Sequence, residues 1–283
     1  MRFWGKGLLG AIGWCLLAGV LLQLFFIARI GLMAWLAPES TAFQRSEATQ
    51  LALNGQWTWA QQWVPYAHIS NNLKRAVIAS EDGDFLDHEG IDWDAIEAAK
   101  ARNAAAQARA QAQQERAQQQ QKKAQQRAQR RIERLEKAGR PVDDALLATA
   151  SGAQSPVVVQ ARLVGASTIS QQLAKNLFLS GERTFFRKAQ EFLLTQYLEH
   201  LLGKRRILEI YLNNVEWGAG VFGAEAAARQ YFNKPAAQLT ALEAARLAVM
   251  LPRPKHYQQR PGSPYLASRS GTIAARMRGV DIP

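Results

Sequence analysis

Apolar and polar positions divide the chain into blocks with different periodicities. From Gly7 to Ala28 the sequence reads GLLGAIGWCLLAGVLLQLFFIA, without a charge and without a polar face. A helix of about 20 apolar residues crosses a bilayer core, so this stretch predicts a membrane span. From Leu73 the pattern turns helical: Leu73, Val77 and Ile78 share a face, and the helix is expected to end near Ser80 to Asp82. Asp92 then sits where it caps a second helix through Trp93, Ala95, Ile96 and Ala99. Residues 101–131 contain no Leu, Ile, Val, Met, Phe, Trp or Tyr. Their Ala, Gln, Arg and Lys favour helix but supply no core, which predicts a solvated helix over 100–138, roughly 55 Å long. No apolar seam suggests a coiled coil. Gly139, Pro141, Gly152 and Pro156 mark 139–163 as a linker. Thr168 and Gln171 read as a capping box opening a helix through Asn176. Further helical patterns cover 187–202, where Leu194, Tyr197, Leu198 and Leu201 share a face, then 204–215 and 240–250. The best strand candidate is VVV at 157–159, so the expected fold is mainly α.

The net charge of +12 on 283 residues suggests a polyanion binder until it is located. Residues 101–140 hold 11 Lys/Arg and 3 Asp/Glu, a local +8, which leaves 12 − 8 = +4 for everything else. The basicity belongs to one segment, and nucleic acid is not implied as a partner. Arg2 and Lys6 precede the apolar span; after Arg29 no Lys or Arg follows until Arg45. That bias places the N-terminus in the cytoplasm and the remainder outside it. The span is longer than the roughly 7–15 apolar residues of a cleaved signal, which predicts a retained anchor. Arg29 is within reach of the far interface by snorkelling. Residues 1–36 are therefore read as cytoplasmic tip and anchor, and 37–72 as a connector. Its Trp57, Trp59 and Trp63 suit either a membrane surface or ordinary packing. Residues 73–283 form the main domain, interrupted by 101–163. The single cysteine, Cys15, forbids an intramolecular disulfide.

Several motifs lead nowhere. Gly218, Gly220 and Gly223 match G-x-G-x-x-G, but the lead-in ILEIYLNNVEW reads as helix where a dinucleotide site needs a strand. The four histidines show no metal spacing. Neither S-x-x-K nor K-T-G occurs, so a penicillin-binding serine transferase is not encoded. The informative segment is EDGDFLDHEG, Glu81 to Gly90, where a carboxylate pair closes an apolar helix. Half-burial there raises a carboxyl pKa toward a range useful for proton transfer. GASTISQQLAKN (165–176) sets Lys175 on a helix beside Gln171 and Gln172. Arg183, Arg187, Lys188 and Glu191 follow within nine residues. Forked Arg donors and a Lys point charge suit a diphosphate; the plainer reading is a solvated face with an Arg187–Glu191 pair.

EDGDFLDHEG, GASTISQQLAKN, RKAQEFLLTQYLE (187–199), KRRILEIYLNNVEWGAGVFG (204–223) and LTALEAARLAVMLPRP (239–254) resemble, in order, the signature blocks of the peptidoglycan glycosyltransferases. With no transpeptidase motifs, the chain resembles the monofunctional biosynthetic form. The resemblance implies a mainly α, lysozyme-like domain behind a transmembrane helix, with a long charged helical insertion. It implies an inner-membrane, single-pass enzyme with its catalytic domain in the periplasm, joining lipid II into β-1,4-linked glycan and releasing undecaprenyl diphosphate. Glu81 would be the general base on the acceptor hydroxyl and Asp82 its support. Glu191 would orient cations or a divalent ion. Lys175, Arg183 and Arg187, with Gln171, Asn176 and Ser167, would bind diphosphate and sugar. Phe85, His88 and the glycines would shape the loop. No cofactor is required, Mg or Mn being left open. Lipid II, the growing glycan, the membrane and other cell-wall or division proteins are the implied partners.

Gly90 to Gly165 is far longer than the family's usual spacing. The basic insert is expected to lie along an anionic membrane, to contact another cell-wall protein, or to act as a plain spacer. Two other functions fit parts of the sequence. A lysozyme-like hydrolase also uses one acidic residue, but has no diphosphate to hold. A membrane-anchored scaffold leaves the ordered motifs unexplained.

Overall fold

The structure is a computed structural model that describes residues 2–152, 158–161, 163–179 and 185–283. It divides into two compact units, residues 1–92 with 167–283 and residues 93–166.

In the first unit α1 (Arg2–Leu32) is the one helix among the described residues that is long and apolar enough to cross a membrane, over Gly10–Leu32 at mean hydropathy 2.2. Its last turn belongs to the folded domain, because Ile30 and Met33 are buried in the core. Arg206 donates to the carbonyls of Met33 (2.7 Å) and Leu36 (3.0 Å), capping the helix end with charge. Arg29, expected at a membrane interface, lies 5.8 Å from the Phe178 ring.

Residues 37–72, read as the connector, pack as part of this unit. They form α2 (Ala42–Leu53), opened by a Thr41/Gln44 capping box, and β1 (Ala60–Gln61). Trp59 packs on Phe222 at 4.8 Å and Trp63 sits beneath Arg206, while Trp57 stays exposed. α3 (Asn71–Glu81) runs from the Ser70 cap to Asp82, as its periodicity predicts. Leu73, Val77 and Ile78 bury completely.

α6 (Ile169–Phe178) opens with the expected Thr168/Gln171 box. It packs on α7 (Phe185–Asn214) through Leu173, Leu177, Leu194 and Leu198. The two helical periods expected over 187–215 form one element broken at Gly203, whose φ of 69° and ψ of 161° turn its second half. Leu201, assigned to the inner face, is 41 % exposed. The chain leaves α7 into β2 (Glu216–Gly218) and β3 (Val221–Phe222), an antiparallel hairpin beside which β1 lies parallel to β3. The glycine fingerprint is thus a hairpin: a strand does precede it, but a short one. Gly220 (φ 69°) makes the turn and Gly223 (φ 83°) starts α8 (Ala224–Phe232). α9 (Ala241–Met250), α10 (Pro254–Gln258) and α11 (Pro264–Arg276) close the unit, with small Ala244, Ala245 and Ala248 letting α9 approach α3 and α11.

The second unit is α4 (Trp93–Lys137), roughly 68 Å at 1.5 Å per residue, with α5 (Asp144–Ala150) folded back on it. The expected linker therefore contains a helix, capped by the Asp143 carboxylate on the Ala145 amide. VVV is no strand: Val158 and Val159 are irregular, and Val157 lies outside the described residues. Polar side chains replace a core here. Asn103 exchanges two hydrogen bonds with the Val164 backbone (2.9 and 2.8 Å), and Gln114 accepts from the Val159 amide at 2.8 Å. Ala110 and Ala128 are buried on α4.

The loop after α3 is tied down at its far end by Gly90, whose φ of +83° excludes most side chains. A Cβ there would lie 2.7 Å from Thr195 Cγ2 and 2.9 Å from Glu199 Cγ on α7. Gly90→Ala is expected to cost roughly 1–3 kcal/mol. Thermal unfolding in detergent checks this; an unchanged melting temperature would refute the close approach.

Candidate active site

Glu81 is the last residue of α3, and Asp82, which follows it, has the opposite environment. Asp82 is buried and saturated: Oδ1 meets His88 Nε2 at 2.8 Å and Oδ2 accepts the Ile169 amide at 2.9 Å. It fixes the start of α6 and, through His88, the loop, since His88 Nδ1 accepts from the Gly90 amide at 3.1 Å. Thr168 Oγ1 donates to the Gly90 carbonyl at 2.7 Å, closing a ring of contacts. An anionic carboxylate at the first turn of α6 is favoured by the exposed amides there.

Glu81 is half-buried and accepts one side-chain bond, from Gln172 Nε2 at 2.9 Å. Tyr211, buried behind it, donates its hydroxyl to Gln172 Oε1 at 2.8 Å. Burial and the two nearby carboxylates hold the phenol pKa well above normal, so it remains a donor and fixes which way the Gln172 amide points. Burial pushes the Glu81 carboxyl pKa up, opposed by the Gln172 amide, raised again by Asp82 and lowered by Lys175. The outcome is a carboxyl that protonates at higher pH than usual.

Lys175, on the same helix as Gln172, feels Glu191, Arg187, Lys188 and Glu81. Desolvation lowers its pKa, and Arg187 and Lys188 act in the same direction against Glu191 and Glu81. Glu191 is buried on α7, bonded by Arg187 at 3.4 Å and by Lys188. The face carrying Arg187, Glu191 and Thr195 is therefore no plain solvated surface: Glu191 and Thr195 are both buried. Beside Arg187 runs an apolar groove lined by Phe178, Leu179, Phe186 and Leu193, near α1, where Gln23 bonds Gln190 at 3.1 Å.

Glu81, Asp82, Lys175, Arg187 and Glu191 are thus brought together. Gln171 turns away: its Oε1 accepts from the Thr168 amide in the capping box, and its neighbour Gln172 meets Glu81 instead. Asn176 is half-buried on α6 and Ser167 exposed just before the cap. Arg183 lies outside the described residues.

Sequence reasoning missed Tyr211 and the Ser170–Glu199–Lys204 network. Ser170 and Lys204 (2.8 Å) both donate to Glu199 Oε1, and Lys204 also donates to the His88 carbonyl. Lys204 stands 4.6 Å over the Phe85 ring, so Phe85 and His88 do shape the loop, from beneath. The only signal was their position inside the matched blocks. Among the described residues no group of three or more His, Cys, Asp or Glu converges as a metal site.

A half-buried carboxylate beside a cluster of cations can take a proton while the cations hold an anionic leaving group. Comparison with known proteins places the chain in a family. The transglycosylase family model matches residues 49–154 and 145–278. A biosynthetic peptidoglycan transglycosylase of Herminiimonas arsenicoxydans is 42 % identical over 275 residues, 95 % of this chain and 96 % of that protein. Proteins of the same name from Bordetella pertussis (41 % over 281 residues; 99 % and 96 %) and Azoarcus sp. strain BH72 (41 % over 283 residues; 100 % and 97 %) are similar throughout.

Asp82→Ala should strand His88 and the first α6 amide in a buried setting, at a cost of about 1–3 kcal/mol. Denaturant unfolding measures it; a loss below a few tenths would show that the bridge holds nothing.

Proposed function

The chain belongs to the transglycosylase family, and from that premise we propose how its site works. It is a peptidoglycan glycosyltransferase, and a membrane-associated one, carrying one apolar helix suited to a membrane anchor. The proposed substrates are lipid II as acceptor and a lipid-II-derived glycan on undecaprenyl diphosphate as donor. Glu81 takes the proton from the acceptor 4-hydroxyl. That oxygen forms a bond to the donor anomeric carbon as the bond to the diphosphate breaks, and the diphosphate departs with the electron pair. A single displacement converts the α-linkage to β. Lys175 and Arg187 neutralise the charge growing on the leaving group, where fixed cations lower the barrier most. Glu191 orients those cations from beneath. Asp82 and Tyr211 are positioning residues, one for the loop and one for the Gln172 amide. The groove beside Arg187 suits the lipid tail. Arg2 and Lys6 before the span orient the N-terminus to the cytoplasm and the catalytic unit outward.

The observation that carries this reading is the Gln172-held Glu81 carboxylate within the field of Lys175. A glycan hydrolase would have no use for the cations beside it.

Glu81→Gln should lower lipid II polymerisation by ~10²–10⁴-fold, read from product glycan on gels. Undiminished polymer from that variant would remove Glu81 as base. The base must be ionised, so activity falls as pH drops through its raised pKa. Gln172→Leu removes a donor that favours the carboxylate, so the acidic limb should move to higher pH. A limb that stays in place, with the variant folded, would detach Gln172 from the titrating group.

A further inference from the structure

The charges of α4 are not scattered. Arg102, Arg109, Arg116, Lys123, Arg130 and Lys137 recur every seventh residue, and all are exposed. Seven residues fall ~20° short of two full turns, so the line drifts only ~100° from end to end. It extends ~52 Å with a cation every ~10.5 Å. Arg127 and Arg134, each four residues after a member of the line, thicken the same face.

Its flanks are equally ordered. Buried Ala110 and Ala128 stand one position after Arg109 and Arg127, so the face covered by the returning chain lies ~100° to one side. Glu115 and Glu133 stand one position before Arg116 and Arg134, on the other side. The ion pairs formed among the described residues all lie in the first unit, so none of these cations is spent on a carboxylate.

We propose that this face of α4 binds a surface of anionic phospholipid headgroups, which makes the second unit a second membrane contact besides α1. A row of separated charges that stays within about a quarter-turn of the helix, on long and flexible Lys and Arg side chains, matches an extended array of headgroups better than a compact ligand. The chain also carries its own membrane helix, so the row meets a bilayer at high effective concentration. Basic side chains near an anionic leaflet each favour the bound state by about fivefold. The catalytic reading of Glu81 plays no part in this.

The test uses the full chain in nanodiscs, with Cys15→Ser and a fluorophore on Gln120→Cys, which lies on the basic face and is exposed. A headgroup-labelled quencher reports contact. Quenching is expected in phosphatidylcholine–phosphatidylglycerol discs, absent in pure phosphatidylcholine, and lost in high salt. Replacing Arg109, Arg116, Lys123 and Arg130 by Gln, a comparable helix former, should abolish it with circular dichroism unchanged. If that variant loses helicity, the neighbouring pair decides: Lys123→Gln should lower the bound-to-free ratio about fivefold, and Lys122→Gln, ~100° off the line, should not. Equal quenching in neutral discs, or equal effects of the two single changes, would overturn the proposal. So would displacement by inorganic phosphate at an ionic strength where chloride does nothing.

Discussion

The site depends on one carboxylate whose bonds are structural. Asp82 is buried and satisfied on both oxygens, by the His88 imidazole and by the first amide of α6. Through the first it sets the loop to Gly90; through the second it sets the helix carrying Gln172 and Lys175. A buried charge is tolerable only when its lone pairs are met, so the geometry around Asp82 is narrowly constrained. Glu81, one residue earlier and on the same turn, is thereby aimed at Gln172.

Adjacent acids at one helix end thus acquire different environments. Asp82 has two bonds, one to a helix terminus that favours anions, and is consumed by them. Glu81 has one side-chain bond, from a neutral amide, and a desolvation that raises its pKa. The Tyr211 phenol, kept protonated, orients that amide so that it donates toward Glu81 rather than away. The cations stand on α6 and α7, Arg187 and Lys188 bonded to Glu191, and among the described residues Glu81 forms no direct ion pair. Lys175 acts on it only through space.

Much of this was legible locally. Leu73, Val77 and Ile78 dictated α3, and Thr168 with Gln171 dictated where α6 begins. What periodicity missed has physical reasons. Gln171 and Gln172 are chemically identical, and only the capping box decides that the first bonds backbone and the second meets Glu81. Tyr211 reads as a core aromatic from its spacing, and it is one; its hydroxyl matters because a carbonyl oxygen happens to lie 2.8 Å away. The tryptophans of the connector left packing and membrane contact equally open because Trp57, Trp59 and Trp63 show no helical or strand period, and Trp59 and Trp63 pack on the fold. The strands at Ala60, Glu216 and Val221 are two or three residues long, too short for alternation to register. VVV looked more like a strand than any of them, yet Val158 and Val159 pair with no strand among the described residues, and β-branching without pairing does not make a sheet.

The second unit answers a different constraint. A helix of Ala, Gln and Arg cannot bury enough apolar surface to fix a partner, so its returning chain is held by amides instead. Asn103 and Gln114 bond backbone groups that would otherwise need water, and small Ala110 and Ala128 let that chain lie close. This solution uses one face of α4 only. Because hydrogen bonding holds much of the return, residues 101–131 carry no large apolar side chain, and the remaining faces are free to carry charge. Scattered lysines and arginines would serve solubility equally well. A line that keeps its seven-residue spacing from Arg102 to Lys137, with Glu115 and Glu133 on one flank, suits the extended anionic surface proposed for it better than solubility alone would require.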